Sequence, residues 1–286
     1  MNIREYYALT KPGVLYGNVI TAAAGFFLAS QGDINWLLFL ATILGTTLVI
    51  ASACVLNNYL DQDIDSKMAR TKQRPLIAGT VSGRGAVIFS ISLGVMGILI
   101  LLVWVNLHVV SIGVAGFITY VLLYGMLSKR LSIHGTLVGS VSGAAPILAG
   151  YVAVTNSIDL GAALVFAALF LWQMPEFYSI AIYRRDEYKA AKVPVITVIK
   201  GIKHTKIQIL FYLVAFVVAT LMLTLAGYTG YTYAFVMGVL GLYWLWLGCK
   251  SLVATDDNLW SRKVFRHSLV ILLAFSFMIS IDTWLP

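Results

Sequence analysis

Residues 36 to 75 read WLLFLATILGTTLVIASACVLNNYLDQDIDSKMARTKQRP and join an apolar segment to a dense cluster of charges. Residues 36–56 contain no charged side chain, and their length suits one crossing of a bilayer, which takes about 20 apolar residues. Three aspartates and four cations follow between residues 61 and 74. The stretch predicts a transmembrane helix with a polar site at its end.

The apolar character extends over the whole chain. Of the 286 residues, 60% are hydrophobic and 11% are charged, and the mean hydropathy is +0.88. This composition excludes a water-soluble globular protein. Nine apolar stretches are long enough to span a bilayer, with centres at about residues 22, 46, 95, 118, 144, 170, 216, 239 and 274. We predict an all-α polytopic membrane protein whose nine transmembrane helices form a single bundle, with residues 1–286 as one intramembrane domain.

The connections between the apolar stretches alternate in charge. Residues 31–35, 106–108, 155–159 and 227–231 hold no Lys or Arg, and all 20 of these cations lie in the other connections. Because cation-rich connections stay in the cytoplasm, we expect a cytoplasmic N-terminus and cytoplasmic loops at 57–84 and 183–206. The expected location is the lipid bilayer of the bacterial cytoplasmic (inner) membrane, with the two charged loops facing the cytoplasm. The net charge of +8 then reflects topology and gives no indication of nucleic-acid binding.

Polar residues with helical spacing follow the second apolar stretch. If that helix continues beyond Leu56, then Asn57, Asp61 and Asp65 lie on one face. Carboxylates on successive turns repel each other unless a cation lies between them, and Mg²⁺ prefers one or two carboxylates plus substrate phosphates. Four cations that could hold phosphate oxygens come next, namely Lys67, Arg70, Lys72 and Arg74. The predicted ligand is a diphosphate, and a solvated, charge-balanced loop is the alternative.

A second mixed cluster, YRRDEYKAAKVPVI at residues 183–196, follows another long apolar stretch on the same side. It contains the acids Asp186 and Glu187, and the surrounding bases are Arg184, Arg185, Lys189 and Lys192. Two acid-and-base clusters on one side could hold two metal ions on one diphosphate. An ordinary cation-rich cytoplasmic loop is the alternative interpretation.

The first cluster, with Arg70-Thr71 and Arg74-Pro75 after the aspartates, resembles the first aspartate-rich motif of the intramembrane aromatic prenyltransferase superfamily. Further segments are similar to the protohaem IX farnesyltransferase (haem O synthase) family within it. They are TKPG (10–13), GTLVGSVSGAAPILAGY (135–151), WQMP (172–175) and EYKAAKVPVITVIKG (187–201). The similarity covers about residues 8–266.

The resemblance implies a Mg²⁺-dependent enzyme, with two ions expected. It would transfer the farnesyl group of farnesyl diphosphate to the 2-vinyl group of haem B with addition of water, giving haem O and diphosphate for a terminal oxidase. A haem A synthase or a terminal oxidase assembly factor is the implied protein partner. The nearest alternative is an intramembrane prenyltransferase with another acceptor, such as a quinone precursor, and a transporter of an anionic solute is a more distant one.

The resemblance also implies roles for individual residues. The implied catalytic residues are Asn57, Asp61, Asp65, Glu187 and Tyr188. The implied metal ligands are Asn57, Asp61, Asp65, Asp186 and Glu187. The implied diphosphate-binding residues are Lys67, Arg70, Lys72, Arg74, Arg184, Lys189 and Lys192.

A haem pocket is expected around Trp172, Glu176 and His134. Family members commonly carry His after WQ-x-P, whereas this chain has Glu176 there, so an axial haem ligand or a proton shuttle at this position is an open question. Aromatic faces stabilise cations and could line the site. The candidates for these walls are Tyr16, Tyr59, Tyr120, Tyr124, Trp172, Phe177 and Tyr178.

Overall fold

The computed structural model describes residues 3–285, and within them nine helices are long and apolar enough to cross a membrane. They are α1 (Pro12–Ser30), α2 (Trp36–Leu60), α3 (Gly83–Trp104), α4 (Leu107–Leu131), α5 (Gly135–Thr155), α6 (Leu160–Tyr183), α7 (Gly201–Leu225), α8 (Tyr231–Leu252) and α9 (Asp257–Trp284). Residues 3–285 contain no strand. The predicted all-α polytopic fold with nine spans is confirmed.

Several spans begin at a polar side chain that accepts a hydrogen bond from the first helical turn. Asn35 accepts from the backbone N–H of Leu38 at 3.0 Å before α2, and Asp159 accepts from Ala162 at 2.9 Å before α6. Such caps satisfy backbone donors that have no partner within the helix. They show why the apolar helices begin where short polar connections end.

The helices surround a central cavity, and glycines allow the closest crossing. A Cβ atom added at Gly25 would overlap the carbonyl oxygen of Ile147, and one added at Gly150 would overlap that of Ala22. The backbones of α1 and α5 therefore touch, as small residues commonly permit between membrane helices. Helix α6 packs against α5, α7 and α9, while α2 packs against α3.

Helical structure extends further into the charged segments than the predicted loops at 57–84 and 183–206. The backbone N–H of Asp61 donates to Asn57 O at 2.9 Å, and that of Asp65 donates to Asp61 O at 2.8 Å. A short helix, Gln62–Asp65, thus follows α2 after a single turn residue, Asp61. At the second segment α7 already begins at Gly201. The backbone hydrogen bonds of these helices thus continue past the apolar stretch into the polar residues.

Helix α4 contains a π-helical segment, Thr119–Ser128. Its i→i+5 hydrogen bonds place about one more residue in each turn than an α-helix has. Tyr120, Tyr124 and Lys129, spaced by four and then five residues, consequently share one face and line the cavity. In an uninterrupted α-helix of about 3.6 residues per turn, Lys129 would lie half a turn away from Tyr120.

Candidate active site

The cavity has a volume of about 640 Å³ and is lined by side chains of α1, α2, α4, α5, α6 and α9 and by the connections that follow α2 and α6. Its wall reaches from the charged segments after α2 and α6 to apolar residues such as Leu169 and Leu272. One end of the cavity is thus ionic and the rest mainly apolar. We name the ionic end, around Asp61 and Asp65, the ionic mouth.

The spacing of the first motif correctly predicts a shared face. Asn57, Asp61 and Asp65 all line the cavity. All three are buried, with Asp61 only 1% and Asp65 only 4% exposed. Burying two carboxylates on successive turns is costly unless cations compensate them.

Each buried carboxylate has a cationic partner from elsewhere in the chain. Lys129 Nζ lies 2.5 Å from Asp61 Oδ2. Arg74 Nη1 lies 2.5 Å from Asp65 Oδ2 and donates to Asn58 Oδ1 at 2.8 Å. Each of the two buried acids of the ionic mouth is therefore paired with one cation.

A third cation, Lys11, comes from the chain just before α1. Its backbone is left-handed, with φ 54° and ψ 67°, and Pro12 follows as the first residue of the helix. Lys11 Nζ donates to Asn57 Oδ1 and lies 3.4 Å from the hydroxyl of Tyr120. Burial lowers the pKa of the Lys11 ammonium to about 8.

The acidic wall fits a hard metal ion that is also bound by phosphate. Asp61 Oδ1 is buried and has no hydrogen-bond partner among residues 3–285, so this oxygen is free to bind an ion. The buried Nδ2 of Asn57 also has no partner there, and as an amide donor it suits a phosphate oxygen. Residues 3–285 contain no group of three or more His, Cys, Asp or Glu side chains that could hold a metal without other ligands. An ion at Asn57, Asp61 and Asp65 would need further ligands from a phosphorylated substrate or water, which is the usual way Mg²⁺ is bound.

The second motif contributes only part of its predicted residues to the cavity. Arg184 and Tyr188, four residues apart, line it together with Arg70 from the first motif. Glu187 accepts from Arg184 Nη1 at 2.8 Å through Oε1, and its buried Oε2 has no hydrogen-bond partner among residues 3–285. The predicted residue Glu187 is half-buried and does not line the cavity. The predicted residues that are exposed and absent from the cavity wall are Lys67, Lys72, Asp186, Lys189 and Lys192. The helix Arg185–Ala190 turns its remaining positions outward because only one of its faces meets the cavity.

Of the predicted haem pocket, Trp172 and Glu176 line the cavity, whereas His134 is exposed beside the start of α5 and is not on the wall. The Trp172 ring is fixed, since its Nε1 donates to Ser268 O at 2.8 Å.

Four of the seven aromatic candidates line the cavity, namely Tyr120, Tyr124, Trp172 and Phe177, and Tyr16, Tyr59 and Tyr178 do not. Tyr120 and Tyr124 are stacked with ring centroids 5.8 Å apart, and Lys129 Nζ lies 5.9 Å from the centre of the Tyr124 ring. The wall beside the ionic mouth is therefore aromatic.

Two residues of the ionic mouth were not assigned from sequence, Lys11 and Lys129. Lys11 belongs to the TKPG segment, whose position directly before an apolar helix is a signal that could have found it. Lys129 stands at the end of the fourth apolar stretch, like any cation that fixes topology. Only the π-helical segment turns it toward Asp61.

Comparisons with known proteins agree with this geometry. The sequence profile of the UbiA prenyltransferase family matches residues 18–270. The chain is 47% identical over 282 residues to a Yersinia pestis (strain Pestoides F) protein named protoheme IX farnesyltransferase, covering 99% of this chain and 95% of that protein.

Two solved structures share the fold. One, of digeranylgeranylglyceryl phosphate synthase, has a TM-score of 0.82 at 18% identity and covers 98% of both chains. The other, a UbiA homologue from Archaeoglobus fulgidus bound to GPP and Mg²⁺, has a TM-score of 0.73 at 13% identity and covers 96% of this chain and 99% of that one. At these identities the similarity to the two structures shows the fold alone.

Proposed function

This chain belongs to the UbiA prenyltransferase family, and from this premise we infer that it farnesylates haem B. The proposed reaction transfers the farnesyl group of farnesyl diphosphate to the 2-vinyl group of haem B and adds water, giving haem O and diphosphate. The observation that carries this inference is the 47% identity, over nearly the full length, to a protein named protoheme IX farnesyltransferase. A cavity with an ionic mouth and an aromatic, apolar interior suits both substrates.

The ionic mouth suits the diphosphate. Asn57, Asp61 and Asp65 would hold Mg²⁺, which when bound would neutralise negative charge on the leaving diphosphate. Arg74 and Lys129 supply positive charge beside the two carboxylates. Charge that is already in place stabilises a leaving group more effectively than mobile water does, because no reorganisation is needed during the reaction.

The cations at this end come from four separate elements. Arg70 and Arg74 follow α2, Lys129 ends α4, Lys11 precedes α1 and Arg184 follows α6, and all five line the cavity. Arginine can hold phosphate oxygens through two parallel N–H groups, while lysine acts as a compact charge. We assign these five cations to diphosphate binding in preference to the exposed Lys67, Lys72, Lys189 and Lys192.

The aromatic wall suits the allylic cation that forms as the diphosphate leaves. Tyr120 and Tyr124 line the cavity next to the ionic mouth, where their rings can stabilise positive charge. Apolar surroundings keep bulk water from the cation until it has bonded to the vinyl carbon. One water molecule then adds its hydroxyl to the adjacent carbon and releases a proton.

The second metal ion, the membrane side and the protein partner are proposed from the sequence pattern. A second Mg²⁺ ion would be held near Glu187, whose buried Oε2 has no hydrogen-bond partner in residues 3–285, and neither Glu187 nor the exposed Asp186 lies on the cavity wall. By the positive-inside rule the ionic mouth would lie on the cytoplasmic side of the membrane, which we propose is the bacterial inner membrane. A haem A synthase or a terminal oxidase assembly factor would receive the product.

The acceptor is the part of the proposal that most needs a test, because a quinone precursor or another aromatic compound is the alternative. The purified chain, supplied with farnesyl diphosphate and Mg²⁺, should release diphosphate rapidly only when haem B is added. Equal release with haem B and with an aromatic acid, or release with the aromatic acid alone, would contradict haem as the acceptor.

A further inference from the structure

Glu176 is the one acidic side chain in the interior of a spanning helix within residues 3–285. All other Asp and Glu residues of that range lie in connections, in the short helices outside the membrane, or at the ends of the spans. Ionisable side chains inside membrane spans are rare and usually mark functional sites. Glu176 therefore calls for a ligand or a partner that offsets its burial.

No such partner is present in the protein itself. Glu176 is 8% exposed and lines the cavity, and it forms no hydrogen bond or ion pair within residues 3–285. Gln173, one turn earlier on α6, donates to Ser140 O at 3.3 Å and to Leu169 O at 3.2 Å. An ionised carboxylate is disfavoured in such a place unless a cation offsets its charge.

The depth of Glu176 separates it from the diphosphate. It precedes Tyr183, the last residue of α6, by seven residues on the same cavity-lining face, so it lies about 10 Å deeper along the helix axis than the end of α6 that Arg184 follows. Trp172 and Phe177 are its neighbours on this wall. A farnesyl chain at this depth would offer nothing to a carboxylate, whereas a ligand with a positive centre would.

Small residues of α5 adjoin this part of the wall. Gly139, Ser142 and Gly143 line the cavity, and the Tyr124 ring and the Gln173 side chain lie against the two glycines. If the vinyl group of haem B reaches the ionic mouth, the body of the porphyrin must extend inward from it. The haem iron then lies deeper in the cavity than the vinyl carbon that bonds to the farnesyl group.

We propose that the Glu176 carboxylate is an axial oxygen ligand of ferric haem iron, displacing a water molecule. The inference rests on the proposed function, because haem B must enter this cavity. Ferric iron in a porphyrin dianion carries one net positive charge, and haem iron accepts oxygen as well as nitrogen and sulfur ligands. One carboxylate neutralises that charge, and Glu176 acts as a positioning residue that orients the acceptor.

The test compares two porphyrins that differ only in the metal. Ferric haem B and metal-free protoporphyrin IX are titrated into the full-length protein in lipid nanodiscs and followed by absorbance and fluorescence. Glu176→Gln should weaken ferric haem binding by roughly 10- to 100-fold and shift its charge-transfer bands. It should leave the affinity for metal-free protoporphyrin unchanged. Glu176→His should restore haem affinity with the spectrum of an imidazole ligand.

Glu5→Gln is the matched control, since Glu5 lies in the helix Ile3–Leu9, accepts from Thr80 Oγ1 at 3.0 Å and does not line the cavity. It should behave as the wild type. If Glu176→Gln does not fold, the spectrum of Glu176→His against the wild type still decides, because an unchanged spectrum would refute iron ligation.

The other outcomes each refute the proposal in a distinct way. Equal weakening of haem and protoporphyrin would assign Glu176 to the porphyrin edge. Unchanged haem spectra combined with slow hydration of the farnesylated product would assign it to proton removal from water. Failure of the wild type to bind any haem, with farnesyl transfer to another acceptor, would instead overturn the proposed function.

Discussion

Replacing Arg74 with lysine tests whether the ionic mouth binds diphosphate or only fixes topology. The substitution keeps one positive charge but removes the guanidinium that joins Asp65 to Asn58 at 2.5 and 2.8 Å. The side chains of Arg74 and Asp65 are only 23% and 5% exposed, so water does not readily replace the lost contacts. We expect Arg74→Lys to fold and to lose activity.

The expected loss follows from the hydrogen bonds. One hydrogen bond to a charged group contributes about 1.5 to 3 kcal/mol, and lysine at this position loses at least one of the contacts. If the same guanidinium stabilises the leaving diphosphate, kcat/KM for farnesyl diphosphate should fall by roughly 10- to 150-fold. The positive-inside rule alone predicts no change, because the charge of the segment is the same.

The matched control is Lys72→Arg, two residues away in the same segment. Lys72 is exposed and lies off the cavity wall, so its substitution should change kcat/KM by less than about twofold. Initial rates are measured against farnesyl diphosphate at fixed haem B and Mg²⁺. Small and equal effects at both positions would refute the assignment of Arg74 to diphosphate binding.

Three further outcomes are expected. Asp61→Asn should lower kcat/KM by roughly 100-fold in a folded protein because it removes a metal ligand. Asp63→Asn, at an exposed position off the cavity wall, should have little effect. Similar rates for the two variants would contradict the role of Asp61. Chelation of divalent ions should stop turnover and added Mg²⁺ should restore it, and activity that persists in chelator would count against a metal. Gly150→Val should destabilise the bundle by about 1 to 3 kcal/mol because the added side chain forces α1 away at Ala22. Gly238→Ala should not destabilise it, because its added Cβ meets no atom closer than 4.0 Å. Equal midpoints of thermal unfolding in detergent for the two variants would contradict a close crossing of α1 and α5.

Much of the fold was predictable from composition. Apolar stretches of sufficient length predicted all nine spans because the bilayer requires every backbone polar group to be paired within a helix. The extent of the polar helices after α2 and α6 was not predictable in the same way. The hydropathy pattern that predicts the helix ends at the last apolar residue, whereas the backbone hydrogen bonds of the helix continue through Asp61 to Asp65.

The site was predictable where helical periodicity held and not where it failed. Asn57, Asp61 and Asp65 share a face because their spacing matches the α-helix. Lys129 reaches Asp61 only because π-helical turns precede it, and no simple sequence pattern marks such turns.

The second motif shows the same limit, since composition alone could not tell which residues of a short helix face inward. Arg184 and Tyr188 line the cavity, and Asp186 lies outside it.

The mass of the product formed in ¹⁸O-labelled water tests the proposed reaction most directly. The purified full-length protein is incubated with haem B, farnesyl diphosphate and Mg²⁺, and the porphyrins are extracted and weighed by mass spectrometry. The expected product is haem B that has gained one farnesyl group and one labelled hydroxyl. Unmodified haem, with the farnesyl group recovered on another acceptor or as free farnesol, would contradict the assigned reaction.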